Sequence, residues 1–508
     1  MVQAISIAGI VLLVYWQSLK LPFIQDDFEF LRNFQQSDLS IVATLKSYLD
    51  ANNFYINKDV FFRPLGQTYL FLMYKLAGDD PTMFHAAALA VHALNACLVA
   101  MVFFALTRDR VLSYCVAAIY AAAVSVHLDP LAWAVGIFDL GGAFFFLLSM
   151  KLFLDRRIAW SGVAYFIGCL FKESVIVLPL ILLLHELLLT NLRANWREWI
   201  AVRRAGAGLF VLLISLVGPL KIYQLASASL PSNHPYAIST SGVVHNSAQY
   251  LKWLLQSFFP LGDGSFSLAA TLISLAVILI SAIVAWSSGK NDSESRLRFF
   301  LLGWVFFGLL PVIFFPNHTF RYYAVYSLPA YIGLVLMLAG SALKRFAKDS
   351  ATLKYSLLAI CLVAVAFSVR QGNRIYREGL AERTFDDGSV NLISQAKVVE
   401  IVHDGLKKHI PVLPDNAIIG MAGVNLWSFG KNAGPRFWYD DNGVRIYPLD
   451  KVKIENGRLY LDQPAEEQVD AERSTTKKKE FIDPTRFFAF ELVGEDIVRI
   501  YPQGLSPR

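Results

Sequence analysis

The chain has 508 residues, 55% of them hydrophobic, 14% aromatic and only 17% charged, with a mean hydropathy of +0.46. Those values exceed what a water-soluble globular chain tolerates and call for a bilayer as solvent. The net charge of +6 is assigned to basic loops on the cytoplasmic side of a membrane, not to nucleic-acid binding.

Apolar runs near membrane length occur at about 1–19, 82–107, 111–127, 131–154, 157–171, 174–190, 205–226, 264–286, 298–315, 322–341 and 352–369. They predict an α-helical polytopic membrane domain over 1–369 with about eleven spans, several of them short enough to be tilted or broken. The first run lacks a basic start and a small-residue cleavage site, so it reads as a retained helix and not a signal peptide. The four cysteines, Cys97, Cys115, Cys169 and Cys361, fall inside apolar runs without paired spacing and read as packed thiols. Basic residues at 108–110, 151–157, 193–204, 290–298 and 344–354 fall on one side of this threading. The expectation is an integral, multi-pass protein of a cytoplasmic or inner membrane, with the N-terminus inside and the C-terminus outside.

Two pieces lie outside the spans. The first is an extracytoplasmic loop over 20–65, rich in aromatics and amides and too long for a plain connector. The second, 370–508, reads as a soluble extracytoplasmic α/β domain. It has a helix at Leu392–Leu406 and strands at Ala417–Ala422, Val444–Tyr447, Arg458–Leu461 and Phe487–Leu492. The polar stretch Ala465–Glu480 reads as a mobile insertion within that domain.

Polar residues cluster where the first loop and later turns meet the outer boundary. Gln25-Asp26-Asp27-Phe28-Glu29 opens the loop; paired carboxylates there can serve as a general base, hold a divalent cation, or cap a helix. In Phe62-Arg63-Pro64-Leu65 the arginine presents a planar fork suited to phosphate oxygens, or snorkels at the interface. His85, His92 and Asn95 share one helix face, with interhelical packing favoured for the last two. His127 and Asp129 sit in an outer turn ahead of Trp133 and Asp139, and a buried aspartate such as Asp139 needs a partner or a function. Lys172-Glu173 and Arg321-Tyr322 complete the set. The threading gathers Asp26, Asp27, Arg63, His127, Asp129, Lys172 and Arg321 at the outer boundary, combining acids able to activate a nucleophile with cations able to hold an anionic leaving group.

At these residues the chain resembles the GT-C superfamily of polyprenyl-phosphate-sugar-dependent glycosyltransferases, and most the O-mannosyltransferase-like membrane region of transmembrane and tetratricopeptide-repeat proteins. The resemblance runs through Asp26-Asp27, Arg63-Pro64-Leu65, Phe84-His85, His92-Ala93-Leu94, His127, Asp129, Trp133, Asp139, Lys172-Glu173 with Pro179, and Arg321-Tyr322. It covers roughly 10–340 and departs from the family at Phe320, where an acid usually precedes the arginine. It also departs in lacking tetratricopeptide repeats.

The resemblance implies an inverting transferase that moves a hexose or pentose from a polyprenyl-phosphate carrier to a lipid, glycan or protein acceptor of the cell envelope. By carry-over, Asp26 is the base, and Asp27 and Asp129 support or orient substrate. Arg63, His85, His127, Lys172, Glu173, Arg321 and Tyr322 bind donor, and metal dependence stays open. Two other classes compete: a lipid or glycolipid transporter, and a non-catalytic scaffold. Tags at Arg108, Arg197 and Lys344 are expected to report cytoplasm, and tags at His234 and the C-terminus the outside; a cytoplasmic C-terminus would overturn the orientation.

Overall fold

The computed structural model describes residues 2–36, 40–49, 62–190, 237–259, 267–287, 292–344, 346, 349–381, 392–456, 458–462 and 479–500. Among them, five helices are long and apolar enough to cross a membrane: Val2–Lys20, Pro81–Thr107, Ala134–Leu154, Leu268–Ser287 and Ser350–Leu380. Arg110–Ala122 and Val124–Ala132 meet at a 50° bend and add a sixth if they form one span. The expected count of about eleven is not supported.

The reason is local. Expected spans at 157–171, 174–190 and 322–341 are the helices Ile158–Phe171, Leu178–Leu189 and Leu328–Leu343. At about 1.5 Å per residue, the 12 residues of Leu178–Leu189 cover about 18 Å of a hydrocarbon core roughly 30 Å thick. The segments Glu173–Val177 and Arg321–Tyr326 wind as short 3₁₀ turns ahead of the second and third of these helices, with Lys172 extended just before the first. The run expected at 205–226 lies outside the described residues.

Ala134–Leu154 runs through the middle of the bundle, packed between Pro81–Thr107 and Ile158–Phe171. Leu268–Ser287 lies at the periphery and turns Leu272, Ile283 and Trp286 outward, an apolar surface suited to lipid contact and not to water. At the bend after Ala122 the helical ladder breaks and frees carbonyls inside an apolar medium, which must find donors. His92 Nε2 lies 3.0 Å from Ala121 O, and His85 Nδ1 lies 3.1 Å from Leu131 O where the next helix ends. Asn95 Nδ2 donates to Leu140 O at 2.9 Å.

The helix Ser350–Ala381 continues without a break through the boundary expected at 369/370. Beyond it come the helix Leu392–His409 and seven described strands. These are β1 (Ile418–Ala422), β2 (Arg445–Pro448), β3 (Val452–Glu455), β4 (Arg458–Asp462), β5 (Lys479–Ile482), β6 (Phe487–Val493) and β7 (Asp496–Ile500). One sheet has the order β2-β1-β6-β7, with β1 parallel to both neighbours and β7 antiparallel to β6. The other is the antiparallel β3-β4-β5. The expected strands and helix are all present. Of the expected insertion, residues 465–478 lie outside the described set, while Lys479 and Glu480 belong to β5, where Glu480 takes both Arg445 amino groups at 2.9 and 2.7 Å.

This domain docks on the first loop. The helix Asp27–Gln35 packs against Ala433–Tyr439, with Arg32 reaching Asp440 at 2.8 Å and Asn442 at 2.7 Å. Gln25 holds a left-handed φ of 49°, donates its N–H to Ser428 O at 2.8 Å, and donates its side-chain amide to Gln395. Gly430, at φ +64°, lies so close to Gln25 that a Cβ would sit 2.7 Å from the Gln25 carbonyl oxygen. Gly430→Ala should therefore weaken docking by at least about 1–2 kcal/mol. The expected readout is a lower Tm of the purified protein, with faster proteolytic release of the C-terminal domain.

Candidate active site

The acidic turn is built so that its two carboxylates do different things. Asp27 is 2% exposed, and its carboxylate accepts N–H groups from Ile24 at 3.0 Å, Val135 at 2.9 Å and Ala134 at 3.4 Å. The last two donors open the turn Ala134–Gly136, where the first N–H groups of a helix have no partner of their own, and the Gly136 N–H goes to Trp133 O. Asp27 thus caps a distant helix start and pins the loop to the bundle.

Asp26, at the first position of its helix, makes no capping hydrogen bond with its side chain. Burial pushes its pKa up to about 6; Glu29 adds to the rise and Arg63 opposes it. Burial also pushes Asp27 up to about 7 against its three backbone donors, and raises Glu29 despite Lys431. Such environments suit a carboxylate to proton transfer near neutral pH.

Three ion pairs gather beside this turn. Arg63 precedes Pro64, which starts a helix. Its guanidinium is bidentate on Glu173, with Nε at 2.8 Å, and lies 5.5 Å from the Phe138 ring centroid. Lys172 Nζ donates to Asp139 at 3.1 Å, both groups being buried, and lies 5.1 Å from the Tyr323 ring. Gly142 gives that lysine its room: a Cβ there would stand 2.8 Å from Lys172 Cβ. Arg321 Nε sits 3.6 Å from Asp129 Oδ2, beyond hydrogen-bond distance. Its side chain is 28% exposed, against 14% for Arg63 and 4% for Lys172, so Arg321 is the most accessible cation of the three. Tyr322 is buried, stacked on Phe320 with ring centroids 5.4 Å apart.

The structure thus brings Asp26, Asp27, Arg63, Asp129, Lys172, Glu173, Arg321 and Tyr322 to one end of the bundle. It does not bring His85 or His127 into that set as surface groups. His85 is fully buried on the Leu131 carbonyl. His127 is fully buried against His92, with ring centroids 4.2 Å apart, and among the described residues neither of its ring nitrogens has a hydrogen-bond partner. Among the described residues, no group of three or more His, Cys, Asp or Glu side chains is placed to hold a metal ion.

Two supports escaped the sequence reading. Asn246 donates to Ile313 O and Phe315 O at 3.0 Å each and accepts from Thr319 at 2.7 Å, fixing the turn that delivers Arg321. Gln25, in its left-handed conformation, aims the acid pair. Asn246 sits in an ordinary amphipathic stretch that gave no signal, and Gln25 was read only as the start of the acidic segment.

No protein-family profile and no curated protein matches the chain.

Removing one member of the buried Lys172–Asp139 pair leaves an uncompensated charge, a loss of about 3–5 kcal/mol. Lys172→Met is expected to destabilise the purified protein by that order in a denaturant titration. Lys172→Met combined with Asp139→Leu should recover most of it. Strictly additive losses would mean the two groups do not act as a pair.

Proposed function

We propose that the chain is a membrane glycosyltransferase that moves a sugar from a polyprenyl-phosphate carrier to a hydroxyl of a lipid, glycan or protein acceptor, with inversion. The observation that carries the reading is the placement of Asp26: a carboxylate with no capping bond and a raised pKa, beside Arg63 and at the same end of the bundle as Arg321. An acceptor hydroxyl is a poor nucleophile at neutral pH until a base takes its proton. In the proposed step the acceptor oxygen bonds to the anomeric carbon while the bond from that carbon to the phosphate oxygen breaks. The hydroxyl proton passes to Asp26, and polyprenyl phosphate leaves with the electron pair.

The cations stabilise the departing phosphate. Arg321 is the first candidate, because its pairing to Asp129 is loose; Arg63 and Lys172 are already held by Glu173 and Asp139 and serve chiefly to set the local potential. Asp27 and Asp129 act as supports. Sidedness follows the basic loops, which puts this end of the bundle outside the cytoplasm.

Asp26→Asn keeps shape while removing the base, and is expected to slow transfer by about 10²-fold or more with donor binding intact. The active form is the ionised one, so the rate of the parent should climb with pH up to about 6 and level off above it. Arg321→Ala should weaken donor binding more than Arg321→Lys, which keeps the charge and loses the fork. Turnover by purified Asp26→Asn within a few-fold of the parent would refute the assignment.

A further inference from the structure

At the end of the bundle opposite Asp26 and Arg321 lies a cavity of about 920 Å³. The helix geometry fixes that location. Ile137–Leu154 carries Asp139 at its start and reaches the cavity at Leu154, while Leu328–Leu343 follows the Arg321 turn and reaches it at Lys344.

The rim carries five cations, Arg108, Lys151, Arg156, Arg296 and Lys344, against three carboxylates. Those carboxylates are engaged. Asp109 accepts the N–H groups of Val111 and Leu112 at 2.8 and 3.1 Å. Asp155 pairs with Lys151, and Glu294 pairs with Arg298 and Lys344. Arg156 is matched by Glu186 at 3.1 Å. Among the described residues Arg108 and Arg296 have no carboxylate partner, and Arg296 Nε is buried without a hydrogen bond. A buried guanidinium N–H without an acceptor is costly, so the site is short of an anion.

The remaining wall is apolar. Met101 and Phe104 line it, and Met101 is 48% exposed, so this wall continues to the outward face of its helix. An occupant that satisfies both parts has an anionic head and hydrocarbon chains. Free phosphate would satisfy the arginines and leave the apolar wall uncovered.

We infer that this cavity binds an anionic phospholipid from the adjoining leaflet. Its phosphate sits between Arg108 and Arg296 and an acyl chain lies along Met101 and Phe104. The bound lipid bridges the helix ends that line the cavity and stabilises the bundle by linkage. The site is independent of the glycosyl-transfer reading and stands or falls without it.

The test uses the purified full-length protein in neutral detergent, with lipid retention read by native mass spectrometry and Tm by thermal unfolding. Phosphatidylglycerol is expected to remain bound and raise Tm, while phosphatidylcholine and millimolar inorganic phosphate do neither. Arg108→Gln combined with Arg296→Gln should weaken retention by about tenfold or more, the order expected for two basic groups at a lipid headgroup. Lys354→Gln, an exposed basic residue beside the cavity and not on its rim, should bind as the parent does. If the double variant fails to fold, Met101→Trp, which narrows the lateral opening, must weaken retention instead. Equal loss in Lys354→Gln would mean diffuse attraction and would overturn the site. So would an equal response to phosphatidylcholine, a Tm rise with inorganic phosphate alone, or unchanged retention in the folded variants.

Discussion

The carboxylate of Asp27 is the acceptor on which one whole end of the bundle depends. It takes N–H groups from its own loop at Ile24 and from the start of the helix that carries Asp139. Each of those donors, left unmade in an apolar setting, would cost about 1–3 kcal/mol. The bond set fixes the distance between the first loop and the central helix, and with it the position of every charged group around them. It also assigns opposite roles to two adjacent acids. Successive residues on a helix project about 100° apart, so with Asp27 turned inward to the backbone amides, Asp26 is turned away from them. The C-terminal domain completes the arrangement by holding Gln25 in a left-handed turn between Ser428 and Gln395.

Charge compensation explains the rest of that end. A cation at membrane depth requires a partner, and here each one finds an acid: Arg63 with Glu173, Lys172 with Asp139, and Arg321 with Asp129. The pairs differ in quality. Bidentate contact and deep burial lock the first two, whereas the third is long and reached by solvent. The opposite end of the bundle shows the reverse imbalance, since its acids are consumed by caps and ion pairs while, among the described residues, Arg108 and Arg296 have no carboxylate partner. The two ends are chemically distinct, one carrying acid–cation pairs around Asp26 and the other a rim with more cations than carboxylates.

Much of the secondary structure was legible because it rests on local pattern. The strands β1, β2, β4 and β6 and the helix at Leu392 follow the local pattern of apolar residues, whereas β3, β5 and β7 were not read from it. The ion pairs were half legible: Asp139 and Lys172 each stood out as charges in apolar runs, but 33 residues separate them, and only packing shows that they meet. The span count failed because hydropathy cannot see that Glu173–Val177 and Arg321–Tyr326 wind as short 3₁₀ segments and leave abbreviated helices behind them. His127 was read as an outer-turn ligand from its place beside Asp129. The 50° bend after Ala122 instead folds it inward onto His92. Asn246 and the docking of the C-terminal domain are long-range facts with no local signature.

The central claim is that the acid-rich end of the bundle transfers sugar from a lipid phosphate. The measurement that meets it most directly is NMR of the product formed by the purified protein from a panel of polyprenyl-phosphate sugars and a hydroxyl acceptor, read together with release of polyprenyl phosphate. The expected result is equal release of polyprenyl phosphate and product, with the anomeric configuration opposite to that of the donor. A product that retains the donor configuration, or a donor panel left intact by a folded protein with lipid present, would contradict it.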